Sequence, residues 1–449
     1  MRKTTASVVN LGCRVNRVES DKIAAGLISH GFQLVDEDEA QLIVINTCAV
    51  TGEAEAKTRK AVRKAAGSAL DPVVIVTGCV VNLNPDELTS ISSRVIAEPS
   101  KAHVVQRALD ALDKTSGILE GGQGCVGEMP RALPISSGAA HVDEDPHAIS
   151  DLLGRSRYGI KIQDGCNHRC TYCIVWKARG PERSVPLDEV IRDVRSAVRA
   201  GVPEVVLTGV NLGAYRCELP DGTALGIAGL LQEILDQTAI PQVRLSSIEP
   251  MDVDLELVRV MARNQDRVAP FLHLPIQSGC TQTLRRMGRP YSAETLLSNV
   301  AAIREILPSA SISCDLIVGF PGETDAEFAR TLEVCRELAF SRMHVFRYSK
   351  RPGTPAAVAP NQVDPKVMAA RSAQVRQLAV QMAEQDAASR VGTVENAVFE
   401  YQDKGTLGSF HKVLIEDAPA GMRGAIAPVL IERLDGDGYL HARLIDPQS

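Results

Sequence analysis

The 449-residue sequence predicts an α/β protein in three parts: an N-terminal open parallel α/β sheet, a central partial (β/α)6 barrel and a small C-terminal β-barrel. Apolar β-branched runs alternate with amphipathic segments near the N-terminus, and the same alternation begins again near residue 158. After residue 390, short strand-like runs are separated by glycine turns. These three observations predict two parallel α/β parts followed by one all-β part.

Three apolar runs in the N-terminal part each end at a cysteine. They are ASVVNLGC (6–13), LIVINTC (42–48) and VVIVTGC (73–79), with a helical pattern at residues 18–32 between the first two. The carboxyl ends of parallel strands meet at one edge of a sheet, so these cysteines should lie together. A single such cysteine is more often a small buried hydrophobe. Three at the same structural position favour a ligand set, namely Cys13, Cys48 and Cys79.

The central part contains six strand-like runs, separated by amphipathic segments such as 187–200 and 293–307. The runs begin at Tyr158, Glu204, Gln242, Phe271, Ser311 and Arg342. Six βα units form a barrel short of the usual eight, and in such barrels the chemistry lies at the C-terminal ends of the strands. The predicted boundaries are 1–116 for the sheet domain, 117–150 for a Gly-, Ser- and acid-rich linker, 151–390 for the barrel and 391–449 for the β domain.

Bulk composition narrows the class of protein. The N-terminus lacks the apolar core of a signal peptide and no run of about 18 apolar residues occurs, so we expect a cytoplasmic protein without a membrane span. Eleven cysteines in such a chain favour metal binding or catalysis over disulfides. The net charge of −6 argues against a surface coated with nucleic acid, although a local basic patch could still bind it.

The segment QDGCNHRCTYC (163–173) holds three cysteines spaced C-x3-C-x2-C, at Cys166, Cys170 and Cys173. Structural zinc sites use four ligands, and His168 is poorly placed between its neighbouring cysteines to supply the fourth. Three thiolates on a four-iron cluster leave one iron open to a cofactor. The missing fourth ligand therefore favours an iron–sulfur cluster with a working vacancy.

This motif, with Tyr172 before its last cysteine and after the first strand of a partial barrel, resembles the radical S-adenosylmethionine superfamily. Further segments make nearly the whole chain similar to the methylthiotransferases: NLGCRVNRVES, NTCAVT, TGCV, DGCNHRCTYCIVWKARG, LHLPIQSGC, RRMGRPY, DLIVGFPGET and YSKRPGTPA. Within that family, LGCRVNRVES and KIQDGCNHRCTYC resemble the type that adds a methylthio group to C2 of N6-threonylcarbamoyladenosine. By that resemblance the base stands at position 37 of tRNAs reading ANN codons.

The resemblance implies two [4Fe–4S] clusters and S-adenosylmethionine. Cys166, Cys170 and Cys173 would be the catalytic ligands of the cluster that binds S-adenosylmethionine. Cys13, Cys48 and Cys79 would hold the second cluster, whose open iron carries the sulfur to be inserted. Candidate cofactor-binding residues, each equally plausible as a turn or packing residue, are Tyr172, Gly209, Asn211, Ser247, Glu249, Gln277 and Gly319.

The implied partners are the anticodon loop of tRNA, an electron donor such as flavodoxin or ferredoxin, and a sulfur source. Candidate RNA-binding residues are Lys57, Arg59, Lys60, Arg63, Lys64 and Arg286, although the first five could equally form a solvated helix face. The C-terminal β part resembles the TRAM RNA-binding module. The unstacked bases of an anticodon loop are accessible to such an enzyme.

One departure from the family pattern is Trp176-Lys177, where a Pro-Tyr pair is usual. Trp176 could pack under the cluster loop or stack on substrate, and we favour packing. Two alternatives to the threonylcarbamoyladenosine enzyme remain. One is a sibling methylthiotransferase acting on isopentenyladenosine in tRNA or on a ribosomal-protein aspartate. The other is a non-catalytic iron–sulfur or zinc RNA-binding protein.

Overall fold

The computed structural model describes residues 4–117, 156–436 and 438–445, and for 114–117 the backbone alone. The chain divides into two compact units, with the division between residues 144 and 145. All of the predicted linker except residue 117 lies outside the described ranges. Among the described helices, none combines the length and apolar character that crossing a membrane requires.

The first unit is the predicted parallel sheet with helices. Its strands run in the order β2-β1-β3-β4-β5. The strands are β1 Thr5–Asn10, β2 Gln33–Leu34, β3 Leu42–Thr47, β4 Val73–Gly78 and β5 Val95–Ala97. The helices are α1 Arg14–Ser29, α2 Gly52–Ala66, α3 Cys79–Leu83, α4 Pro85–Thr89 and α5 Val104–Gly117. All strand pairs are parallel, as the β-branched runs predict.

The first strand ends earlier than the sequence predicts. Strand β1 stops at Asn10, and Cys13 is the N-cap of α1. The chain turns at Gly12, where a Cβ atom would lie 2.4 Å from the side chain of Asn16. Cys13 therefore lies in a loop beyond the strand, whereas Cys48 and Cys79 directly follow β3 and β4.

The second unit contains the predicted six-stranded barrel. Its strands are β6 Arg157–Lys161, β9 Glu204–Thr208, β12 Gln242–Leu245, β13 Phe271–Gln277, β14 Ser311–Val318 and β15 Arg342–Arg347. They form two parallel three-stranded sheets, in the orders β12-β9-β6 and β13-β14-β15. A parallel bridge between Ser247 and His273 links the two sheets. Two short antiparallel pairs flank them: β7 Gln163–Asp164 with β8 Arg183–Ser184, and β10 Cys217–Glu218 with β11 Ala224–Leu225.

Most helices of this unit pack on the outer face of the barrel, whereas the short helix α6 Val175–Arg179 follows the cysteine loop. The packed helices are α7 Leu187–Arg199, α8 Ile227–Gln237, α9 Leu255–Arg263, α10 Thr281–Met287, α11 Ala293–Ile306, α12 Asp325–Leu338 and α13 Pro365–Ser389. One hydrophobic core joins strand residues such as Leu272, Leu274 and Cys314 to helix residues such as Val300 and Val334. Since side chains alternate along a strand, the intervening residues face the concave inside of the barrel.

The C-terminal part is the predicted β-barrel, closed in the order β16-β17-β18-β20-β19. Its strands are β16 Val394–Phe399, β17 Lys404–Leu407, β18 Lys412–Glu416, β19 Ile426–Leu434 and β20 Leu440–Leu444. Arg244 joins it to the larger barrel, because its guanidinium donates to the carbonyls of Gly408 (2.7 Å) and Leu407 (3.1 Å). The same guanidinium lies 5.0 Å from the ring centroid of Phe410.

Arg244 also forms an ion pair with Glu204, in which both side chains are 0% exposed and the atoms are 2.9 Å apart. We expect Arg244→Met to lower the free energy of unfolding by about 3–5 kcal/mol, because a buried carboxylate loses its partner. Denaturant unfolding measures this, and Arg263→Met, at an exposed position of α9, is the control expected to leave the midpoint unchanged. A loss below about 1 kcal/mol would contradict the pairing.

The same pair gives a pH dependence. Burial alone would raise the pKa of Glu204, but Arg244, together with Arg157 and Gln242, more than offsets the effect of burial and holds that pKa below its usual value. The stabilisation is therefore present above the unfolded glutamate pKa, about 4.3, and is lost as the pH falls through the lower folded value. The stability difference between wild type and Arg244→Met should accordingly shrink in acid.

Candidate active site

The C-x3-C-x2-C loop is fixed to the end of a neighbouring strand by Gln163. The Gln163 side-chain oxygen accepts hydrogen bonds from the backbone N–H groups of Val210 and Asn211, both at 2.9 Å. Its amide nitrogen donates to the carbonyl of Gly165 at 3.0 Å. One buried side chain thus joins the start of the cysteine loop to the loop that follows β9.

Thr171 fixes the middle of the loop to two other segments. Its N–H donates to the carbonyl of Met287 (2.9 Å) and its hydroxyl to the carbonyl of Arg286 (2.8 Å). Its own carbonyl accepts from the N–H of Ala356 at 2.9 Å. The segments RRMGRPY and YSKRPGTPA therefore act as supports for the cysteine loop.

Burial keeps two of the loop thiols protonated when no metal is bound. It raises the pKa of Cys166 to about 11 and that of Cys173 to about 12. Iron binding would therefore release protons, since the thiolate is the ligand. The N–H of Val175 already points at the Cys173 sulfur, 3.4 Å away, where it can hydrogen-bond a thiolate.

Arg289 contacts one of the loop thiols. Its guanidinium donates to the Cys170 sulfur at 3.3 Å, and its side chain is 1% exposed. It also forms an ion pair with Glu249, donates to the Tyr291 hydroxyl at 2.9 Å and donates to the carbonyl of Pro275 at 3.1 Å. A fixed positive charge beside a ligand sulfur stabilises the negative charge of a bound cluster.

Three cysteines without a fourth ligand suit a four-iron cluster with one open iron better than a structural zinc site, which uses four ligands. His168 lies instead beside Asp252, with its Nε2 atom 3.9 Å from a carboxylate oxygen, and this carboxylate raises the pKa of the histidine.

Gly165 provides a test of the loop geometry. Its φ is +73°, and a Cβ atom would lie 1.9 Å from the carbonyl oxygen of Pro181. We expect Gly165→Ala to displace the loop and to remove about half of the bound iron. The control is Gly201→Ala, where φ is +71° but nothing lies within 4 Å, so only backbone strain of about 1–2 kcal/mol is expected. Full iron content in Gly165→Ala would contradict this geometry.

Several of the predicted cofactor-binding residues lie at strand ends, where buried polar atoms lack partners or the backbone is strained. Asn211 donates to Asp252 at 2.7 Å, while its side-chain oxygen is buried without a partner among the described residues. The Ser246 hydroxyl, next to Ser247, is also buried and unpartnered. Gln277 has a φ of +64°, which is strained for a residue other than glycine and is typical of functional sites. These features fit a polar ligand such as S-adenosylmethionine.

Other candidates have a structural role that accounts for the residue type. A Cβ on Gly209 would lie 3.0 Å from Gln163, and one on Gly319 would lie 2.1 Å from the Met368 side chain. The Tyr172 ring packs edge-on to Phe320 with centroids 6.3 Å apart. Their contact with a cofactor stays a prediction.

In the first unit, the three cysteine-bearing strand ends belong to neighbouring strands and are joined by a buried polar network. Asn16 donates to the Asn46 side-chain oxygen (2.9 Å) and to the carbonyl of Thr47 (2.8 Å), and the Cys13 thiol donates to Asn16 (3.3 Å). The Thr47 hydroxyl donates to the carbonyl of Thr77 (2.7 Å) and accepts from the N–H of Val80 (3.1 Å). The network links the Cys13 loop to the ends of β3 and β4, where Cys48 and Cys79 are buried.

The predicted basic residues on α2 are largely matched by acids. Lys57 pairs with Glu53 (2.8 Å), Arg59 with Glu87 (3.0 Å) and Lys64 with Glu37 (3.3 Å). Lys60 and Arg63 are exposed on the same helix. Arg286 forms a two-pronged ion pair with Glu327, at 3.0 and 2.6 Å, on α12.

Trp176 packs against the cysteine loop, as the sequence analysis favours. The Arg169 guanidinium lies 4.3 Å from its ring centroid, and Lys177 lies 5.1 Å from it. Lys177 also donates to the carbonyl of Gly353 at 2.9 Å. Trp176 therefore contacts the cysteine loop through a cation–π interaction with Arg169, and Lys177 joins the same segment to Gly353.

Sequence reasoning did not identify Gln163, Asp252 or Arg289 as site residues. Gln163 had a usable signal, because it ends the first barrel segment directly before the cysteine loop. Asp252 had a weaker signal, namely its position three residues beyond Glu249, which the sequence analysis names as a candidate.

Two protein families match separate stretches of the chain. Residues 160–335 match the radical SAM superfamily, and residues 5–97 match an uncharacterized protein family, UPF0004. The threonylcarbamoyladenosine tRNA methylthiotransferase MtaB of Thermotoga maritima is 34% identical over 98% of this chain and 97% of its own length. The tRNA-2-methylthio-N(6)-dimethylallyladenosine synthase of Sphingopyxis alaskensis is 31% identical over 89% of this chain and 87% of its own.

Among solved structures, the radical S-adenosylmethionine methyltransferase TsrM of Kitasatospora setae is similar in fold. It is 16% identical and has a TM-score of 0.54, covering 79% of this chain and 75% of its own. This similarity bears on the fold alone.

Proposed function

The chain belongs to the radical S-adenosylmethionine methylthiotransferases, and from this we propose that it adds a methylthio group to C2 of N6-threonylcarbamoyladenosine at position 37 of tRNA. It is a tRNA-methylthiolating transferase that uses S-adenosylmethionine and [4Fe–4S] clusters. The near-full-length relationship to enzymes named for threonylcarbamoyladenosine carries the choice of substrate. The dimethylallyladenosine enzyme is the second candidate, because such enzymes also exceed 30% identity.

The residues that would hold the two clusters are the two cysteine triads. Cys166, Cys170 and Cys173 would bind the first cluster, and Cys13, Cys48 and Cys79 the second. Reductively cleaved S-adenosylmethionine supplies the hydrogen-abstracting chemistry that an unactivated adenine C–H bond requires. Around the first triad, Arg289 would stabilise ligand charge, while Gln163 and Thr171 would hold the loop.

The strand-end residues would orient the cofactor and keep water from the reacting centre. The unpartnered oxygen of Asn211 and the strained Gln277 support this role. Glu249 would serve mainly to hold Arg289 in place, since the two are ion-paired. A low-potential carrier such as flavodoxin or ferredoxin and a separate sulfur source would complete the reaction in the cytoplasm.

Binding of tRNA would use the basic helix α2. We expect Lys60→Glu combined with Arg63→Glu to weaken tRNA binding at least about tenfold at low salt and to lower the salt dependence, because each lost phosphate contact removes one released counterion. Filter binding at several salt concentrations measures this. Lys366→Glu, exposed at the start of α13, is the control. Equal affinities for both variants would place the RNA surface elsewhere.

The substrate assignment is tested with purified, cluster-loaded enzyme and three tRNAs that differ only at position 37. One carries threonylcarbamoyladenosine, one isopentenyladenosine and one unmodified adenosine. We expect methylthiolation of the first alone, measured by mass spectrometry of the nucleosides. Turnover of the isopentenyl substrate alone would favour the second candidate. Turnover of no tRNA by protein that still cleaves S-adenosylmethionine would reject both.

A further inference from the structure

Three potential metal-binding side chains converge inside the barrel, in a group that includes none of the cysteines assigned above. They are His273 on β13, Asp315 on β14 and His344 on β15, and their ligand atoms all lie within 4.8 Å of one another. We propose that these three residues bind a divalent transition-metal ion, and zinc is the ion to test first.

The strands place the three side chains on the concave face. Leu272, Leu274 and Cys314 lie in the core shared with the helices, so the residues that alternate with them face the opposite way. The register also brings the strands into line, because His273 pairs with Ser313 and Asp315 pairs with His344. Sites built on neighbouring strands are held more precisely than sites on loops.

The His273 ring already has the orientation of a metal ligand. Its Nδ1 atom lies 2.7 Å from the Ser313 hydroxyl, and its Nε2 atom lies 3.3 Å from the nearer Asp315 oxygen. Protein ligands about 2.0–2.1 Å from a tetrahedral zinc lie about 3.3 Å from each other. A polar partner on the second ring nitrogen is the usual support of a histidine ligand.

The donor set indicates the class of ion. Two imidazoles and one carboxylate suit zinc, iron or another transition metal, whereas magnesium prefers oxygen ligands alone. Three protein ligands leave at least one position open, as in sites that bind an exchangeable ligand. Access is available, because His344 is exposed and the Asp315 side chain is 29% exposed.

A hydrogen-bonded histidine–aspartate pair without metal would be the simpler explanation of two of these residues. A metal site, in contrast, requires His344 on the third strand as a ligand as well. The ring centroids of His273 and His344 are 5.8 Å apart, and the rings meet edge to face. Metal binding therefore depends on all three side chains, and this difference makes the proposal testable.

The first measurement uses the full chain with its clusters loaded anaerobically, equilibrated with zinc alone and then dialysed. We expect about one zinc per chain, with the iron and sulfide contents unchanged. Zinc K-edge absorption should show nitrogen and oxygen ligands at about 2.0–2.1 Å, including imidazole. Ligand sulfur at about 2.3 Å, or no retained zinc, would overturn the proposal.

Variants then identify the ligands. Asp315→Asn and His344→Ala should each weaken zinc binding at least about tenfold, whereas His411→Ala, in the C-terminal barrel, should retain it. Circular dichroism and iron content establish that each variant is folded. Zinc binding unchanged in both folded ligand variants would also overturn the proposal.

Discussion

Replacing Cys166 with alanine is expected to abolish cleavage of S-adenosylmethionine, whereas replacing Cys48 should spare cleavage and abolish methylthio transfer. The two cysteines belong to triads on different parts of the fold. Loss of one loop cysteine should remove the cluster that is proposed to reduce the cofactor. Loss of Cys48 removes only the cluster proposed to carry sulfur. Production of 5′-deoxyadenosine and of methylthiolated nucleoside measures the two activities separately.

The matched control for both variants is Cys335→Ala. Cys335 is fully buried in the barrel core and has no proposed ligand role. This variant should lose some stability and retain both activities. Wild-type levels of methylthiolated product from Cys166→Ala or Cys48→Ala would reject the assignment of two clusters with separate tasks.

Replacing Arg289 with methionine is expected to have the second-largest effect. Glu249 would remain beside the cluster without its counter-charge, and we expect the free energy of unfolding to fall by about 3 kcal/mol. The reduction potential of the loop cluster should become more negative, because a positive charge is lost next to the Cys170 sulfur. Redox titration and denaturant unfolding measure the two effects.

Two further variants separate charge from geometry at this position. Arg285→Met removes an exposed arginine from α10, the helix that ends just before Arg289, and should change neither quantity. Arg289→Lys keeps the positive charge but loses the several N–H donors of the guanidinium. It should therefore change the reduction potential of the loop cluster less than it changes the free energy of unfolding. An unchanged potential in Arg289→Met would show that the guanidinium does not act on the cluster.

The main architecture follows from local pattern, and the side-chain contacts do not. β-branched runs and amphipathic spacing predict the parallel sheet, the six barrel strands and the final β-barrel, because periodicity directly reflects burial. The neighbouring positions of Cys13, Cys48 and Cys79 follow from strand order. The end of β1 was predicted three residues too late, since the turn at Gly12 depends on its approach to Asn16.

Partners distant in sequence explain most of what the sequence could not reveal. Gln163 binds the loop after β9, Arg289 reaches Cys170, and Arg244 reaches the turn at Gly408. Each contact depends on the tertiary fold and leaves no periodic trace in the sequence. The pairing of Arg59 with Glu87 and of Lys64 with Glu37 is likewise visible only once helices and loops are placed.

The most direct test of the proposed reaction is mass spectrometry of tRNA nucleosides from a bacterial host that lacks its own enzyme. The host is compared with and without this gene, and with the gene carrying Cys166→Ala. We expect the methylthio derivative of threonylcarbamoyladenosine to appear only with the wild-type gene. Unthiolated threonylcarbamoyladenosine alone, in cells that contain the iron-loaded protein, would contradict the proposed substrate.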